Sequence, residues 1–248
     1  MSTLILLRHG QSEWNASNRF TGWFDCGLTD VGIQEAKSAG NQLVAAGITP
    51  DVVHTSLLLR AIDTADLVLQ TMNLSSIPVR RSWRLNERHY GNLTGMNKVE
   101  AKEKFGEKQL HDWRRGFDTP PPPIDETNLY DPVNDSQYKD LTEIPKSECL
   151  ADVVKRLIPW WADVAVPDLR MERTVLIAAH GNSLRALCKL LDDISDSEIT
   201  NLNLPTGTPI IYELDNNLRP LETIPVLDRT LNPKIAQEAA EAVAKQAR

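Results

Sequence analysis

Two histidines in this 248-residue chain each follow a short apolar segment and precede a glycine. One lies in the run Arg8, His9 and Gly10, and the other is His180, which is followed by Gly181. If both segments are strands of an α/β sheet, the histidines lie at the carboxyl ends of strands, where such sheets bind ligands. Helix N-termini at that edge present backbone N–H groups, and glycine lets the backbone approach a ligand closely. We therefore expect the two imidazoles to face one cleft.

A third segment points to the same cleft. Residues 52–56 precede a helical pattern that places Arg60 in its first turn. Arginine binds phosphate oxygens through a planar fork, and a neutral imidazole can attack phosphorus. This combination predicts a phosphoryl-transfer site, with His9 as the better candidate for the nucleophile because Arg8 beside it would gather phosphate charge.

A metal site is the main alternative use of these histidines. No HxH, HExxH or His-carboxylate spacing surrounds His9 or His180, so the sequence disfavours a metal ligand set there. We expect the remaining three histidines to be structural or solvent-facing: His54, His89 and His111.

Charge is distributed unevenly along the chain. The net charge of −7 argues against non-specific nucleic-acid binding, which needs a net basic surface. Residues 80–115 nevertheless carry ten Lys and Arg against five acids, so a small polyanion is the more natural partner. Lys102, Lys104 and Lys108 alternate with glutamates in a way typical of a solvated helix face. A solvated face fits four of the other cations less well, because they stand outside this alternation: Arg88, Lys98, Arg114 and Arg115.

Short apolar runs predict four strands, over residues 3–7, 51–55, 174–179 and 209–214. Apolar residues at helical spacing predict three helices, over 58–65, 150–161 and 184–191. Ser56 is the expected cap of the first, and Asn182 and Ser183 precede the last. The pattern is clearest over 150–161, where Pro159 is expected to kink the helix. Alternating strands and helices predict a three-layer α/β fold, with a mostly parallel sheet and helices on both faces. We expect residues 1–232 to form a single catalytic domain.

Two segments fit this alternation poorly. Residues 117–147 are poor in aliphatic side chains and include four consecutive prolines, so we expect a long irregular excursion over the surface that acts as a lid. The C-terminal tail, 233–248, is rich in Ala, Glu and Lys and is either a helix or a mobile end. The residues expected to form an apolar stripe along the tail are Ile235, Ala239, Ala240 and Val243. Those expected to bring positive charge to it are Lys234, Lys245 and Arg248.

The longest apolar runs are far shorter than a membrane span, and the N-terminus lacks the basic start of a secretory signal. We therefore expect a cytoplasmic protein that does not cross a membrane. Cys26, Cys149 and Cys188 form no CxxC pair, which indicates reduced thiols rather than a disulfide framework.

Several motifs, in this order, resemble a known family. They are RHGQSEWN from Arg8, FTGW from Phe20, Thr55-Ser56 with Arg60-Ala61, ERHYG from Glu87, GMNK from Gly95, WRR from Trp113, the four prolines from Pro120, and AHGNSLR from Ala179. Over residues 3–214 the chain resembles the cofactor-dependent phosphoglycerate mutases of the histidine phosphatase superfamily. The Arg-His-Gly run marks the superfamily, whereas ERHYG, the arginine pair and the prolines are specific to the mutases.

The resemblance implies an isomerase of glycolysis and gluconeogenesis that interconverts 3-phosphoglycerate and 2-phosphoglycerate through a phosphohistidine. In that scheme His9 is the nucleophile, Glu87 donates and accepts a proton, and His180 stabilises the phosphoryl group in transfer, with Arg8 and Arg60 also catalytic. The residues that would bind substrate are Arg8, Gly10, Gln11, Ser12, Asn15, Thr21, Gly22, Arg60, Glu87, Arg88, His89, Tyr90, Lys98, Arg114, Arg115, Gly181 and Asn182.

The family relationship also implies priming by 2,3-bisphosphoglycerate without a metal. The expected partners are small anionic phosphoglycerates and further copies of the chain, in a dimer or tetramer. A phosphatase or another bisphosphoglycerate-handling member of the superfamily is the alternative with the same His9 chemistry. A catalytically silent scaffold is disfavoured because His9 and His180 are both retained.

Overall fold

Five strands form one central sheet in the computed structural model of the chain, which describes residues 1–245. The strands are Ser2–Arg8 (β1), Val52–Thr55 (β2), Val79–Arg81 (β3), Val175–Ala179 (β4) and Pro209–Leu214 (β5). Their order is β3-β2-β4-β1-β5, and only the pairing of β5 with β1 is antiparallel within the described residues. Four of these strands were predicted. The edge strand β3 has three exposed residues and no apolar run that would predict it.

Helices cover both faces of this sheet, as predicted. They are Glu13–Ala16 (α1), Asp30–Ala45 (α2), Leu59–Thr71 (α3), Lys98–Phe105 (α4), Glu107–Arg115 (α5), Leu150–Trp160 (α6), Val166–Arg170 (α7), Gly181–Leu191 (α8) and Pro233–Lys245 (α9). Alternate side chains of β1 point to opposite faces. Leu4 and Leu6 pack in the core with α6 and α8, while Ile5 and Leu7 pack in the core with α2 and α3.

A third, smaller core lies beside the sheet. Phe20, Leu93, Ala101 and Leu110 are its buried members, and they join α4 and α5 to the loop that follows α1. This packing fixes the two short helices that carry Lys98, Arg114 and Arg115.

Some helix boundaries differ from the predicted ones. Helix α3 begins at Leu59 with Leu58 as its N-cap, so Ser56 does not cap it. Helix α8 begins at Gly181, which places Asn182 and Ser183 inside its first turn. Pro159 does not end its helix: α6 continues into a π-helical turn, Trp161–Ala165, and then into α7. Proline lacks an N–H and disturbs the regular i to i−4 hydrogen bonds, which fits a change of helix type here.

The predicted excursion contains two short 3-10 turns, Pro132–Asn134 and Ser136–Tyr138, and is otherwise irregular. It is held against the protein at several points. Asn92 N donates to the carbonyl of Pro122 at 2.9 Å, and a Cβ at Gly91 would lie 2.0 Å from that oxygen. The glycine therefore allows the proline run to dock, and Tyr138 is fully buried further along.

The C-terminal segment forms helix α9. Its buried side is built on Ala236 and Ala240, whereas Ile235 is 60% exposed, so the predicted stripe is wrong at that residue because it lies on the solvent side of the helix. Gln237 Nε2 donates to Asp228 Oδ1 at 3.1 Å, which ties the helix to the Val226–Arg229 turn. Arg248 and the two residues before it lie outside the described residues. Within residues 1–245 no helix is long and apolar enough to cross a membrane.

Candidate active site

His9 and His180 lie next to each other, and of the two only His9 lines the cleft that both were expected to face. Their ring centroids lie 4.9 Å apart, and the ring planes are inclined by 59°. His9 follows β1 and His180 follows β4, and these strands are parallel neighbours. The carboxyl ends of the two strands therefore bring both imidazoles to one point.

The hydrogen bond of His9 fixes its tautomer. Nδ1 lies 2.7 Å from the carbonyl oxygen of Gly10, and a carbonyl only accepts, so the proton is on Nδ1. Burial lowers the pKa of His9 well below its usual value, and the charges of Arg60 and Arg8 lower it further. The ring is therefore neutral near neutral pH, and Nε2 carries the free electron pair that a nucleophile needs.

His180 is held by a different contact. Its Nε2 lies 2.7 Å from Ser56 Oγ, which also accepts a hydrogen bond from Leu58 N. Burial, followed by the charge of Arg60, lowers the pKa of His180 well below its usual value. Ser56 thus orients His180. The sequence pattern predicts only a helix-capping role for this serine.

The turn after His9 is tightly packed. A Cβ at Gly10 would lie 2.3 Å from the carbonyl oxygen of Gly32 in α2, so only glycine fits. Gln11 N donates to Glu35 Oε2 at 2.6 Å. Ser12 caps α1 by accepting from Asn15 N, whereas the Asn15 side chain lines the cleft.

Glu87 is the one carboxylate on the cleft wall among the described residues. Its Oε1 accepts three hydrogen bonds: from Arg88 N at 2.7 Å, Asn182 Nδ2 at 2.8 Å and Asn182 N at 3.2 Å. These donors hold the carboxylate in one orientation. Oε1 is saturated by these contacts, so Oε2 is the oxygen left for a further partner.

The backbone that carries Glu87 is fixed by side chains that the sequence analysis missed. Trp23 Nε1 donates to the Glu87 carbonyl at 2.7 Å. Arg156 Nη2 donates to the carbonyls of Asn86 at 2.8 Å and Glu87 at 3.1 Å, and its Nε pairs with Glu148 at 2.6 Å. The signal that could have revealed Arg156 is an arginine within the apolar stripe of α6.

Seven cationic side chains line the cleft within residues 1–245: Arg8, Arg19, Arg60, Lys98, Arg114, Arg115 and Arg185. Arg60 is buried and donates to the carbonyls of Phe24 at 3.0 Å and Gly22 at 2.8 Å, so it also holds the loop before α2. Burial and the neighbouring arginines lower the pKa of Lys98 to about 7 and that of Arg115 to about 10. The cleft is thus built to receive negative charge.

Most of the predicted site residues meet at this cleft. Those that line it are Arg8, His9, Asn15, Thr21, Gly22, Arg60, Glu87, Tyr90, Lys98, Arg114, Arg115, Gly181 and Asn182. Those that do not line it are Gly10, Gln11, Ser12, Arg88, His89 and His180. Lining residues that the sequence analysis did not propose are Arg19, Phe20, Arg185, Asn203, Leu204 and Val243.

The other two histidines differ from each other. His54 is buried, and its Nε2 lies 2.9 Å from Asp168 Oδ2. The Asp168 carboxylate also forms ion pairs with Arg80 and Arg173. His111 is 64% exposed. Neither lines the cleft, in agreement with the structural and solvent-facing roles predicted for them.

Sequence comparisons relate the chain to characterised families. A family model for the histidine phosphatase superfamily, branch 1, matches residues 4–131 and 124–224. A protein of Nocardia farcinica named 2,3-bisphosphoglycerate-dependent phosphoglycerate mutase is 56% identical over 98% of both chains. A protein of the same name from Thermobifida fusca is 54% identical over 99% of this chain and 99% of its own length. One from Mycobacterium leprae is 55% identical over 100% of this chain and 97% of its own length.

Solved structures share the fold. A mycobacterial glucosyl-3-phosphoglycerate phosphatase superposes with a TM-score of 0.66 at 24% identity, over 86% of this chain and 93% of its own. Bacillus stearothermophilus YhfR superposes with a TM-score of 0.65 at 26% identity, over 87% and 92% of the two chains. The phosphatase likeness concerns the fold alone.

Proposed function

This chain belongs to the histidine phosphatase superfamily, and we propose that it is a 2,3-bisphosphoglycerate-dependent phosphoglycerate mutase. The substrates are 3-phosphoglycerate and 2-phosphoglycerate, which glycolysis and gluconeogenesis interconvert. The observation that carries the proposal is a neutral His9, with Nε2 free, in a cleft that holds seven cationic side chains and one carboxylate among the described residues. The full-length similarity to proteins named as such mutases supports the same activity.

His9 is the phosphoryl acceptor. Nε2 attacks phosphorus, the N–P bond forms as the P–O bond breaks, and the electron pair of that bond goes to the glycerate oxygen. The charge of a loose transition state lies on the three equatorial oxygens, where fixed cations lower the barrier. Arg8 and Arg60 lie close enough to His9 to lower its pKa, so they supply that charge. His180, with its ring centroid 4.9 Å from that of His9, would support the phosphoryl group from beside the nucleophile.

Glu87 moves the proton. Its Oε2 takes a proton from the glycerate hydroxyl that attacks the phosphohistidine. It then gives this proton to the glycerate oxygen that leaves phosphorus when Nε2 takes up the phosphoryl group from the other position. The isomerisation is then complete, and His9 is again phosphorylated, as it was at the start of the cycle. A group positioned for general acid and base work contributes roughly 10² to 10⁴ in rate.

The cleft suits a doubly phosphorylated primer. When bound, 2,3-bisphosphoglycerate supplies the phosphoryl group that activates His9. Within the described residues Nε of Arg8 is buried without a hydrogen-bond partner, and Arg114 and Arg115 lie on the cleft wall. These cations would hold the phosphate that is not being transferred and the glycerate carboxylate.

The activity is tested by a coupled assay of 2-phosphoglycerate formation from 3-phosphoglycerate. We expect strong stimulation by 2,3-bisphosphoglycerate that survives EDTA. Release of inorganic phosphate as the main product would instead identify a phosphatase with the same His9 chemistry. No turnover of any phosphate ester would leave a binding protein.

We further propose how the chain is organised and where it works. Residues 1–232 form the catalytic domain, with the 117–147 excursion and the 233–248 tail closing the cleft. The three side chains of edge strand β3 are exposed beside an apolar groove that includes Leu67, Leu74 and Ile77. This surface is suited to association in a homodimer or tetramer. Sedimentation velocity measures that assembly. The cysteines are free and buried, in keeping with a reducing cytoplasm.

A further inference from the structure

We propose that Arg185 is a positioning residue for the isomerisation, which fixes the reactive orientation of Glu87 by holding the side-chain amide of Asn182. This inference rests on the proposed function, because it assigns Glu87 the proton transfer. Arg185 lies one helical turn after Asn182 in α8, so the two side chains share a face of the helix. Both line the cleft.

Arg185 is 2% exposed, and its guanidinium is committed to two oxygens of the protein. Nη1 donates to Asn182 Oδ1 at 2.9 Å, and Nη2 donates to the carbonyl of Ile199 at 2.6 Å. Burial, followed by the charges of Arg115 and Arg88, lowers the pKa of Arg185 to about 9. The side chain therefore keeps its positive charge at neutral pH and donates both hydrogen bonds.

These contacts decide which way the Asn182 amide points. With Oδ1 held by Arg185, the NH₂ group faces Glu87 Oε1 at 2.8 Å and the Tyr90 hydroxyl at 3.1 Å. The reversed amide would place an oxygen against the carboxylate and an N–H against the guanidinium, and both contacts are repulsive. Arg185 thereby selects the orientation in which Asn182 donates to Glu87.

The orientation of Asn182 determines the reactive oxygen of Glu87. Oε1 is saturated only while the Asn182 amide donates to it along with the two backbone N–H groups. If the amide turned away, the carboxylate would be free to rotate, and Oε2 would leave its place in the cleft for part of the time. A geometric loss of this kind lowers turnover more than it lowers substrate affinity.

Arg185 also connects this pair to the cleft rim. The carbonyl that it holds belongs to the Glu198–Asn201 turn, and Asn203 and Leu204, shortly after that turn, line the cleft. Arg8 Nη1 donates to the carbonyl of Leu204 at 2.6 Å. Arg8, next to His9, and Arg185, which holds Asn182, therefore both donate hydrogen bonds to carbonyls of the segment 199–204.

The test is a double-mutant cycle of Arg185→Gln and Asn182→Ala, with kcat and KM measured for 3-phosphoglycerate. We expect Arg185→Gln to lower kcat by roughly 10-fold to 100-fold, as misplaced reacting groups do, with KM changed by less than about threefold. The double variant should have the kcat of Asn182→Ala alone, because the arginine acts through the amide. Arg185→Lys should recover part of the loss, and it carries the test if the glutamine variant does not fold.

Arg173→Gln is the matched control. Arg173 donates to Asp168 at 2.6 Å and precedes β4, at the end of the sheet opposite the cleft, so its loss should leave kcat unchanged. Unchanged kcat in Arg185→Gln would overturn the proposal. So would a rise in KM alone, which would make Arg185 a direct ligand of substrate, or full additivity in the cycle. If the wild-type chain only hydrolyses phosphoglycerate, the proposed mutase activity is wrong. The same double-mutant cycle, measured on the rate of hydrolysis, would still test the role of Arg185.

Discussion

The rings of His9 and His180 lie 4.9 Å apart because the strands before them are parallel neighbours in matching register. Arg8 is paired with Ala179 in the ladder, and His9 N donates to the Ala179 carbonyl at 2.9 Å. Each histidine is therefore the first residue beyond its strand, at the same level of the sheet. The backbone places the two residues side by side, and the hydrogen bonds to the Gly10 carbonyl and Ser56 Oγ orient the rings.

The two rings nevertheless differ in which nitrogen is engaged. His9 forms its hydrogen bond through Nδ1, to the Gly10 carbonyl, whereas His180 forms its hydrogen bond through Nε2, with Ser56 Oγ. Only His9 therefore presents a free Nε2 to the cleft, and Nδ1 of His180 is buried without a partner among the described residues. This difference supports the proposal that His9 is the nucleophile and His180 a supporting ring.

Incubation with radiolabelled 2,3-bisphosphoglycerate should leave an acid-labile, base-stable phosphate on His9. His9→Ala should abolish the label, and His111→Ala, a change at a histidine that is 64% exposed, should keep it. Peptide mapping locates the phosphate. Label found on His180 of the wild-type protein would reverse the roles assigned here.

Arg114 and Arg115 should contribute mainly to binding. They end α5 on the cleft wall, and a hydrogen bond to a charged group is worth about 1.5 to 3 kcal/mol. Replacing both by Ala should raise KM for phosphoglycerate by roughly 100-fold, with a smaller change in kcat.

Lys108→Ala is the control for the arginine pair, because that lysine lies exposed on the same helix. Its KM should match the wild type. Binding isotherms that the double replacement leaves unchanged would place both arginines on a solvated face.

Lys98 should make substrate binding depend on pH. Burial, with Arg114, Arg8 and Arg115, lowers the pKa of Lys98 to about 7. A lysine is charged below its pKa, so the empty cleft loses this charge as pH rises through that value. A bound phosphate favours the ammonium form, and binding above that pH should therefore take up a proton.

Titration calorimetry at about pH 8 in buffers of different ionisation enthalpy measures this uptake, since the phosphate itself, with its second pKa near 6, is then already ionised. Lys98→Arg keeps a permanent charge and should bind without uptake. Equal proton uptake by the two proteins would mean that Lys98 stays charged in the empty cleft.

The Arg156–Glu148 pair should matter for stability as well as for the position of Glu87. Both side chains are buried, and Arg156→Met leaves the Glu148 carboxylate without its partner. Removing one member of a buried pair costs about 3 to 5 kcal/mol. The double change Arg156→Met with Glu148→Gln should recover part of this loss in urea unfolding, yet it should not restore kcat. The Asn86 and Glu87 carbonyls still lack the guanidinium, and Trp23 Nε1 alone then holds the Glu87 carbonyl. Full recovery of kcat would limit the pair to a structural role.

The site is predictable from the sequence where local patterns place it. His9, His180 and Arg60 follow strands or begin helices, so periodicity alone brings them to one edge of the sheet. The contacts of Arg156 and Trp23 with the Glu87 carbonyl join residues more than 60 positions apart. No local pattern records such contacts, because they depend on how the layers pack.

Exposure limits prediction elsewhere in the chain. Strand β3 gains its place by pairing with β2, although its side chains are exposed. Ile235 is the most hydrophobic residue near the start of α9 and yet faces solvent, while Ala236 and Ala240 face the protein. Helical spacing gives the faces of an alanine-rich helix, but the surface on which it docks decides which face is buried.

The C-terminal helix should protect the reaction from water. Val243 lies on the cleft wall, about 150 residues from Glu87 along the chain but across the same cavity. Deleting residues 232–248 should therefore lower mutase turnover and raise the share of phosphoryl groups lost to water, because an open cleft retains the intermediate less well. The ratio of inorganic phosphate released to 2-phosphoglycerate formed measures this loss.

A single substitution tests whether Val243 itself helps to close the cleft while the rest of the helix is kept. Val243→Asn puts a polar group on the cleft wall and should raise the hydrolytic share, whereas Ala242→Asn, on the exposed side of α9, should not. Removing the helix opens the wall more fully, so the deletion should exceed Val243→Asn in effect. The same product ratio in the truncated and full-length enzymes would reject the closing role, and a change confined to sedimentation would assign the segment to contacts between subunits instead.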